Sequence, residues 1–308
     1  MSPSKPQRLP LIKPPRLRPG DLIGIISPAG PVDESELKPD LELLESSGFR
    51  IHVAPHVYDR QGYLAGDDEA RLSDLHGMFQ DRKTKAIFCA RGGYGTLRLL
   101  DRIDYDLIRE NPKIIVGYSD ITALLMAITK KTGLVTFHGP MVRGLSALND
   151  NSRESLFQSH LIRSTGFIQT HGRKSSHFRS ATGPLIGGNL SLICYVVGTP
   201  FLPSLAGCIL FIEDKGEPLY RIDRMLTHLS LAGQLKGIAG LIGGEFIECG
   251  DPSAVDDLLN TAASELEIPL ITGFPIGHGL KNRALPLGIP ARLDADSMTL
   301  STLEPCVI

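Results

Sequence analysis

Residues 113–131 read KIIVGYSDITALLMAITKK, and the fold class turns on this stretch. Ile114, Ile115 and Val116 make the continuous apolar run that a strand buried on both faces requires. A Gly117-Tyr118-Ser119-Asp120 turn follows. Leu124, Leu125 and Ile128 then recur at helical spacing as far as the stop signal Gly133. A strand that passes through a tight corner into a helix belongs to an α/β protein with a mostly parallel sheet. A serine at that corner stands clear of the sheet, beside the free N–H groups of the helix start. This is nucleophile-elbow geometry, although the G-x-S-x-G pattern is only partly met, because Ile121 occupies the place of the second glycine. A plain helix N-cap is the simpler role for a serine there.

The alternation continues outward from this corner. Upstream, Leu22–Ile26 predicts a buried strand ending in the loop residues Ser27-Pro28-Ala29-Gly30-Pro31. Asp33–Ser46 predicts a helix, Arg50–Val53 a strand, and Asp67–Phe79 a helix with Leu72, Leu75 and Phe79 on one stripe. Ala86–Ala90 is a third buried strand that runs into Arg91-Gly92-Gly93-Tyr94-Gly95-Thr96. Downstream, Val135–Phe137 is strand-like, residues 149–180 read as a polar connection with a helix over Ser155–Ile162, and a second series begins at Pro184. It contains strands at Cys208–Ile212, Ile238–Ile242 and Leu270–Gly273, helices at Tyr220–Leu231 and Ala254–Leu266, and two short β segments at the end. The expected organisation is a flexible basic, proline-rich arm over 1–17, an N-terminal doubly wound domain over 18–148, a connection over 149–180, and a C-terminal β/α domain over 181–308.

Composition narrows the function. The chain has 308 residues, 42% of them hydrophobic, and a formal net charge of -2. That balance offers no electrostatic footprint for nucleic acid or an anionic membrane, and no apolar run is long enough to span a bilayer. The N-terminus lacks the apolar segment of a secretory signal. Five scattered cysteines, without a C-x-x-C pair, suggest a reducing compartment and no disulfide framework. Zinc-binding spacings are absent, and no metal or cofactor is expected.

The glycine loop after the third strand admits three chemical readings. A dinucleotide fingerprint fails because Arg98 stands where its third glycine belongs, and a Walker loop fails because Leu97-Arg98 replaces Lys-Ser/Thr. The remaining one is a backbone that approaches a substrate closely and offers N–H groups to an oxyanion, beside the option of a turn with no ligand. A serine nucleophile also needs a base and an acid that orients it. His138 in FHGP and His278 in PIGHG both lie in glycine/proline loops after apolar runs, and Glu213 and Asp214 both end a buried strand. Residue chemistry alone does not choose within either pair.

RGGYGTLRLL, GYSDITALL, TFHGPM, GGNLSLICYVVGTPFLP, ILFIEDKGEPLYRIDRMLTHL and PLITGFPIGHG resemble, in that order, the motifs of the LD-carboxypeptidases, serine peptidases related to the microcin C self-immunity proteins. The resemblance runs from about Arg18 to the C-terminus. It implies a doubly wound N-terminal domain, a smaller mixed β/α C-terminal domain, and an active site at their interface. Carried over position by position, it implies Ser119 as nucleophile, Glu213 as acid and His278 as base, with an oxyanion hole from the backbone N–H groups of Gly93 and Asp120. Arg91, Gly92 and Tyr94 become the expected substrate contacts, with Arg221 and Arg224 as further candidates for a carboxylate unless they pair with Glu217 or Asp223. The implied reaction removes a terminal D-alanine from a cytoplasmic murein peptide, without cofactor, in a homodimer. Two rivals are a peptidyl- or aminoacyl-nucleotide amidase of the microcin immunity type and a non-catalytic α/β ligand-binding protein.

Overall fold

The computed structural model describes residues 9–149, 152–153, 169–172, 174–175 and 180–308. The N-terminal sheet is built from β1 (Leu22–Ile26), β2 (Arg50–Val53), β3 (Thr84–Cys89), β4 (Ile114–Gly117), β5 (Thr136–His138) and β12 (Leu285–Leu287), in the order β12-β5-β4-β3-β1-β2. Its first five strands are parallel, and β12 joins β5 antiparallel, with Leu285 opposite His138. Helices α1 (Glu34–Ser46), α2 (Asp68–Gln80), α3 (Tyr105–Glu110) and α4 (Ile121–Thr132) are the crossovers that a parallel sheet demands. Local signals set their ends. Asp33 and Glu36 form a capping box at α1, Asp67 accepts from Ala70 N at 2.8 Å at α2, and Gly133, at φ 79°, closes α4.

The second sheet runs β6-β14-β13-β8-β9-β10-β11-β7. Its strands are β6 (Gln169–His171), β7 (Lys174–Ser175), β8 (Ser180–Asn189), β9 (Ile209–Lys215), β10 (Gly240–Ile247), β11 (Leu270–Thr272), β13 (Pro290–Asp294) and β14 (Thr299–Thr302). The core β8-β9-β10-β11 is parallel and the flanking strands are antiparallel, so the mixed C-terminal architecture is the expected one. This two-domain α/β arrangement agrees with the predicted fold class.

Helix α4 packs between the two halves. Ile121, Ala123, Leu124, Leu125, Met126, Ala127 and Ile128 are all fully buried, as expected of a helix that is apolar all round. Its first turn touches the second sheet, where Asn189 N donates to Thr122 Oγ1 at 3.1 Å. A Cβ at Gly188 would fall 2.5 Å from Thr122 Cγ2, so only glycine permits this approach.

Three expectations change. Residues 9–17 of the arm are fixed: Ile12 N donates to Gly133 O at 2.8 Å, Val135 N donates to Ile12 O at 2.9 Å, and Leu17 is fully buried. The prolines that make this segment read as coil leave the donors and acceptors between them free to pair with neighbouring strands. Part of the 149–180 connection is strand, because β6 and β7 close the two ends of the second sheet. The expected helix at Ser155–Ile162 lies outside the described residues. Finally, the 181–308 segment gives β12 to the first sheet. All five cysteines are buried and free, and no described helix is long and apolar enough to cross a membrane.

Candidate active site

Ser119 lies where β4 turns into α4, at φ 61°. A non-glycine residue rarely adopts this left-handed conformation, which costs on the order of 1–3 kcal/mol and persists only where the surroundings enforce it. Neighbouring packing supplies the enforcement. A Cβ at Gly117 would meet Ile121 Cγ2 at 2.6 Å, so the glycine two residues before the serine makes room for the isoleucine that replaces the second glycine of the elbow pattern. Asp120, not Ser119, is the helix N-cap residue. Ser119 Oγ makes no hydrogen bond among the described residues, which removes the simple capping role.

The glycine loop lies directly against this corner. A Cβ at Gly92 would stand 2.9 Å from Ser119 Cβ and 3.0 Å from its Oγ, so the backbone there approaches the hydroxyl as closely as only glycine allows. Gly93 has φ 117°, and Gly92 O accepts from Gly30 N at 3.1 Å. Thr96 N donates to Asp120 Oδ2 at 2.9 Å, and Thr96 Oγ1 donates to Asp120 O at 2.7 Å. Asp120 therefore clamps the end of the loop to the start of α4, a side-chain role that the sequence reading did not assign. Burial raises its carboxyl above the usual range, against the pull of the Thr96 hydrogen bonds. Beneath the loop, fully buried Arg71 donates to Pro28 O at 2.6 Å and pairs with Asp68, where a Cβ at Gly95 would collide with it.

The residues expected as acid and base come from the second half. His278 Nδ1 lies 2.7 Å from Glu213 Oε2. Glu213 is completely buried, and burial raises its carboxyl above the ordinary value although the His278 hydrogen bond opposes this. A carboxylate there accepts the Nδ1 proton and leaves Nε2 as the acceptor. The Tyr118 ring packs edge-on against His278 with centroids 4.9 Å apart, which puts the residue before Ser119 in contact with the imidazole. Burial first, then Glu213, pushes the Tyr118 hydroxyl up to about 12, so it stays neutral near pH 7. No hydrogen bond joins Ser119 Oγ to His278 among the described residues.

The structure separates the alternatives left open by residue chemistry. Asp214 accepts from Asn189 Nδ2 at 2.8 Å, Ser191 N at 2.9 Å and Ser191 Oγ at 2.8 Å, so its carboxylate is engaged in holding the start of the helix Leu190–Val196. Glu213 alone of the two reaches a histidine. His138 is fully buried on β5, with neither ring nitrogen hydrogen-bonded and Phe211 edge-on at 5.1 Å. Burial, then the neighbouring His278, lowers it from 6.5 to about 3.

A depressed folded value means that neutral His138 stabilises the fold above pH 6.5 and that this contribution is lost as pH falls toward 3. The loss amounts to about 1.4 kcal/mol per pH unit within the window. Melting temperature should therefore fall more steeply between pH 6.5 and 4 in wild type than in a His138→Leu variant, and equal slopes would refute the assignment.

Of the expected substrate contacts, Gly92 faces Ser119, as described. Tyr94 is half-exposed and edge-on to Tyr63 at 5.6 Å. Arg91 folds back, with Nη1 donating to Pro31 O at 2.9 Å. Arg221 pairs with Glu217 at 2.8 Å and Arg224 lies 5.3 Å from the Tyr220 ring centroid, so both helix arginines have local partners.

Comparison with known proteins agrees with this architecture. Residues 23–139 match the LD-carboxypeptidase N-terminal domain and residues 182–293 the LD-carboxypeptidase C-terminal domain. A probable murein peptide carboxypeptidase of Bacillus subtilis is 40% identical over 300 residues, covering 93% of each chain. The crystal structure of muramoyltetrapeptide carboxypeptidase from Oxalobacter formigenes superposes with TM-score 0.83 at 30% identity, over 92% of this chain and 99% of that one. MccF in complex with glutamyl sulfamoyl guanosine superposes with TM-score 0.89 at 26% identity, over 97% and 100%. With both of its domains matched, the chain belongs to the LD-carboxypeptidase family of serine-type carboxypeptidases.

Proposed function

We propose that the protein hydrolyses the bond between an L-centre and the terminal D-alanine of a cytoplasmic murein tetrapeptide, in cell-wall recycling. The observation that carries this reading is the buried Glu213–His278 pair, packed on Tyr118 beside the strained Ser119 corner. In the mechanism, His278 Nε2 removes the Ser119 proton and Oγ attacks the amide carbonyl. The N–H groups of Gly93 and Asp120 receive the oxyanion, each worth roughly 3–4 kcal/mol of barrier. Glu213 holds the tautomer and stabilises the imidazolium, His278 then protonates the leaving amine, and water resolves the acyl-enzyme. The missing Ser119–His278 hydrogen bond fits an enzyme without substrate, in which such contacts are often long and tighten on binding.

A nucleotide-conjugate amidase is the second reading, favoured by the close superposition on MccF. A tryptophan-to-phenylalanine mutant of MccF has been solved with adenosine monophosphate, whereas this chain contains no tryptophan. Together with the 40% identity to the Bacillus protein, this supports the murein reading. The purified protein should release D-alanine from disaccharide-tetrapeptide or free tetrapeptide, detected by mass spectrometry, and leave aspartyl sulfamoyl adenosine intact. The reverse pattern would replace the murein reading with the nucleotide one.

A further inference from the structure

A carboxypeptidase must distinguish a chain end from an internal bond, and the charge that does so is not one of the arginines singled out in the sequence. Between the 140–148 loop and the loop that follows His278 lies a cavity of about 210 Å³. That is the space of roughly seven waters, enough for one small residue. Tyr118 forms one wall, Gly279, Leu280 and Asn282 another, and Arg143 supplies the charge. Tyr118 and Gly279 are chain neighbours of Ser119 and His278, so the cavity opens beside the proposed reacting groups.

Arg143 is held there by a built support. Its backbone N donates to Ala90 O at 2.9 Å, next to the glycine loop. The turn after it is pinned by buried Asp40, which accepts from Gly144 N at 2.8 Å and Ser146 N at 2.7 Å. Arg143 Nη2 donates to Glu36 Oε1 at 2.7 Å, and the other oxygen of Glu36 accepts from Asp33 N at 3.2 Å. This tie fixes the guanidinium, while Nε and Nη1 have no partner among the described residues. Arg143 also acts on the Tyr118 hydroxyl, opposing the upward push of burial, and both side chains line the same cavity. By contrast, Arg91 is committed to Pro31 O.

We propose that Arg143 selects substrates ending in a free carboxylate, with the cavity between it and the His278 loop receiving the departing D-amino acid. The assignment rests on the murein carboxypeptidase reading. A planar guanidinium with unused donors matches a carboxylate in two-point geometry, and an apolar rim of Pro140, Met141 and Leu280 suits a small methyl side chain.

The test compares a tetrapeptide ending in D-alanine with the same peptide ending in D-alaninamide, for wild type, Arg143→Gln and Arg143→Lys. Wild type should prefer the acid strongly. In Arg143→Gln, kcat/KM for the acid should fall roughly 10- to 100-fold, mainly through KM, while the amide is cleaved as before and the preference collapses. Arg143→Lys should recover part of the preference. A general structural defect would lower both substrates together and leave the ratio unchanged, which overturns the assignment. An undiminished preference in Arg143→Gln overturns it as well, and the murein reading survives either result. Absence of both D-alanine release from the acid and D-alaninamide release from the amide by wild type overturns both.

Discussion

Replacing Ser119 with alanine is expected to lower kcat for D-alanine release by roughly 10⁴- to 10⁶-fold, the range seen when a triad nucleophile is removed. The physical argument is local. The hydroxyl has no hydrogen bond among the described residues, and the left-handed backbone at φ 61° is enforced by its surroundings. Removing one oxygen therefore takes away the nucleophile and little else. Melting temperature should stay within the experimental spread, and labelling by a serine-directed fluorophosphonate should disappear. Full activity in the alanine variant would end the acyl-enzyme mechanism. A glycine at the same position provides a second check: it should be as inactive as alanine but more stable by about 1 kcal/mol, because it relieves the backbone strain.

The second large effect concerns Glu213→Gln, for which we expect kcat to fall by roughly 10³- to 10⁴-fold with no loss of stability. Glutamine can offer its NH₂ to His278 Nδ1, which drives the proton to Nε2 and removes the base. Stability should move the other way. Burial raises the folded value of the Glu213 carboxyl, so this group's contribution is complete below the unfolded carboxylate range and is lost as pH rises through the folded value. A neutral amide does not pay that cost. The His278 ring retains some exposure, so solvent reaches the partner that the carboxylate leaves behind. Near pH 7 the variant should melt at or above the wild-type temperature, with the gap narrowing in acid. A markedly lower melting temperature, or preserved kcat, would refute the role given to Glu213.

The parts of the fold that could be read in advance were those where one period governs the chain. The buried runs at Leu22–Ile26 and Ile114–Val116 have no other use than central parallel strands, and the helix after Ser119 follows from its apolar spacing. Other parts depended on partners far away in sequence. Consecutive acids on a strand point to opposite faces, so only tertiary structure shows that Glu213 meets His278 and Asp214 meets Asn189 and Ser191. Arg143 lies in a loop without period, and its position is set by Ala90, Glu36 and Asp40. The glycine pair Gly243-Gly244 ends the sequence reading of that strand at Ile242, yet β10 continues to Ile247. Backbone pairing with β9 carries it past residues of low strand propensity. Arg71, three residues after the acid it pairs with, reads as an ordinary surface helix residue, and only the loops packed over it make it a buried prop.

The strand Leu285–Leu287 comes only a few residues after His278 and is laced into the sheet that carries Ser119. Pulling the halves apart would mean unzipping backbone pairing between β12 and β5, a far stiffer connection than a hinge. The imidazole is thus tethered against Tyr118, the residue before Ser119, by the weave of the chain itself, and neither half could be cut out as a self-sufficient cassette. Severed after residue 180, the front piece would keep a raw sheet edge and lack both Glu213 and His278.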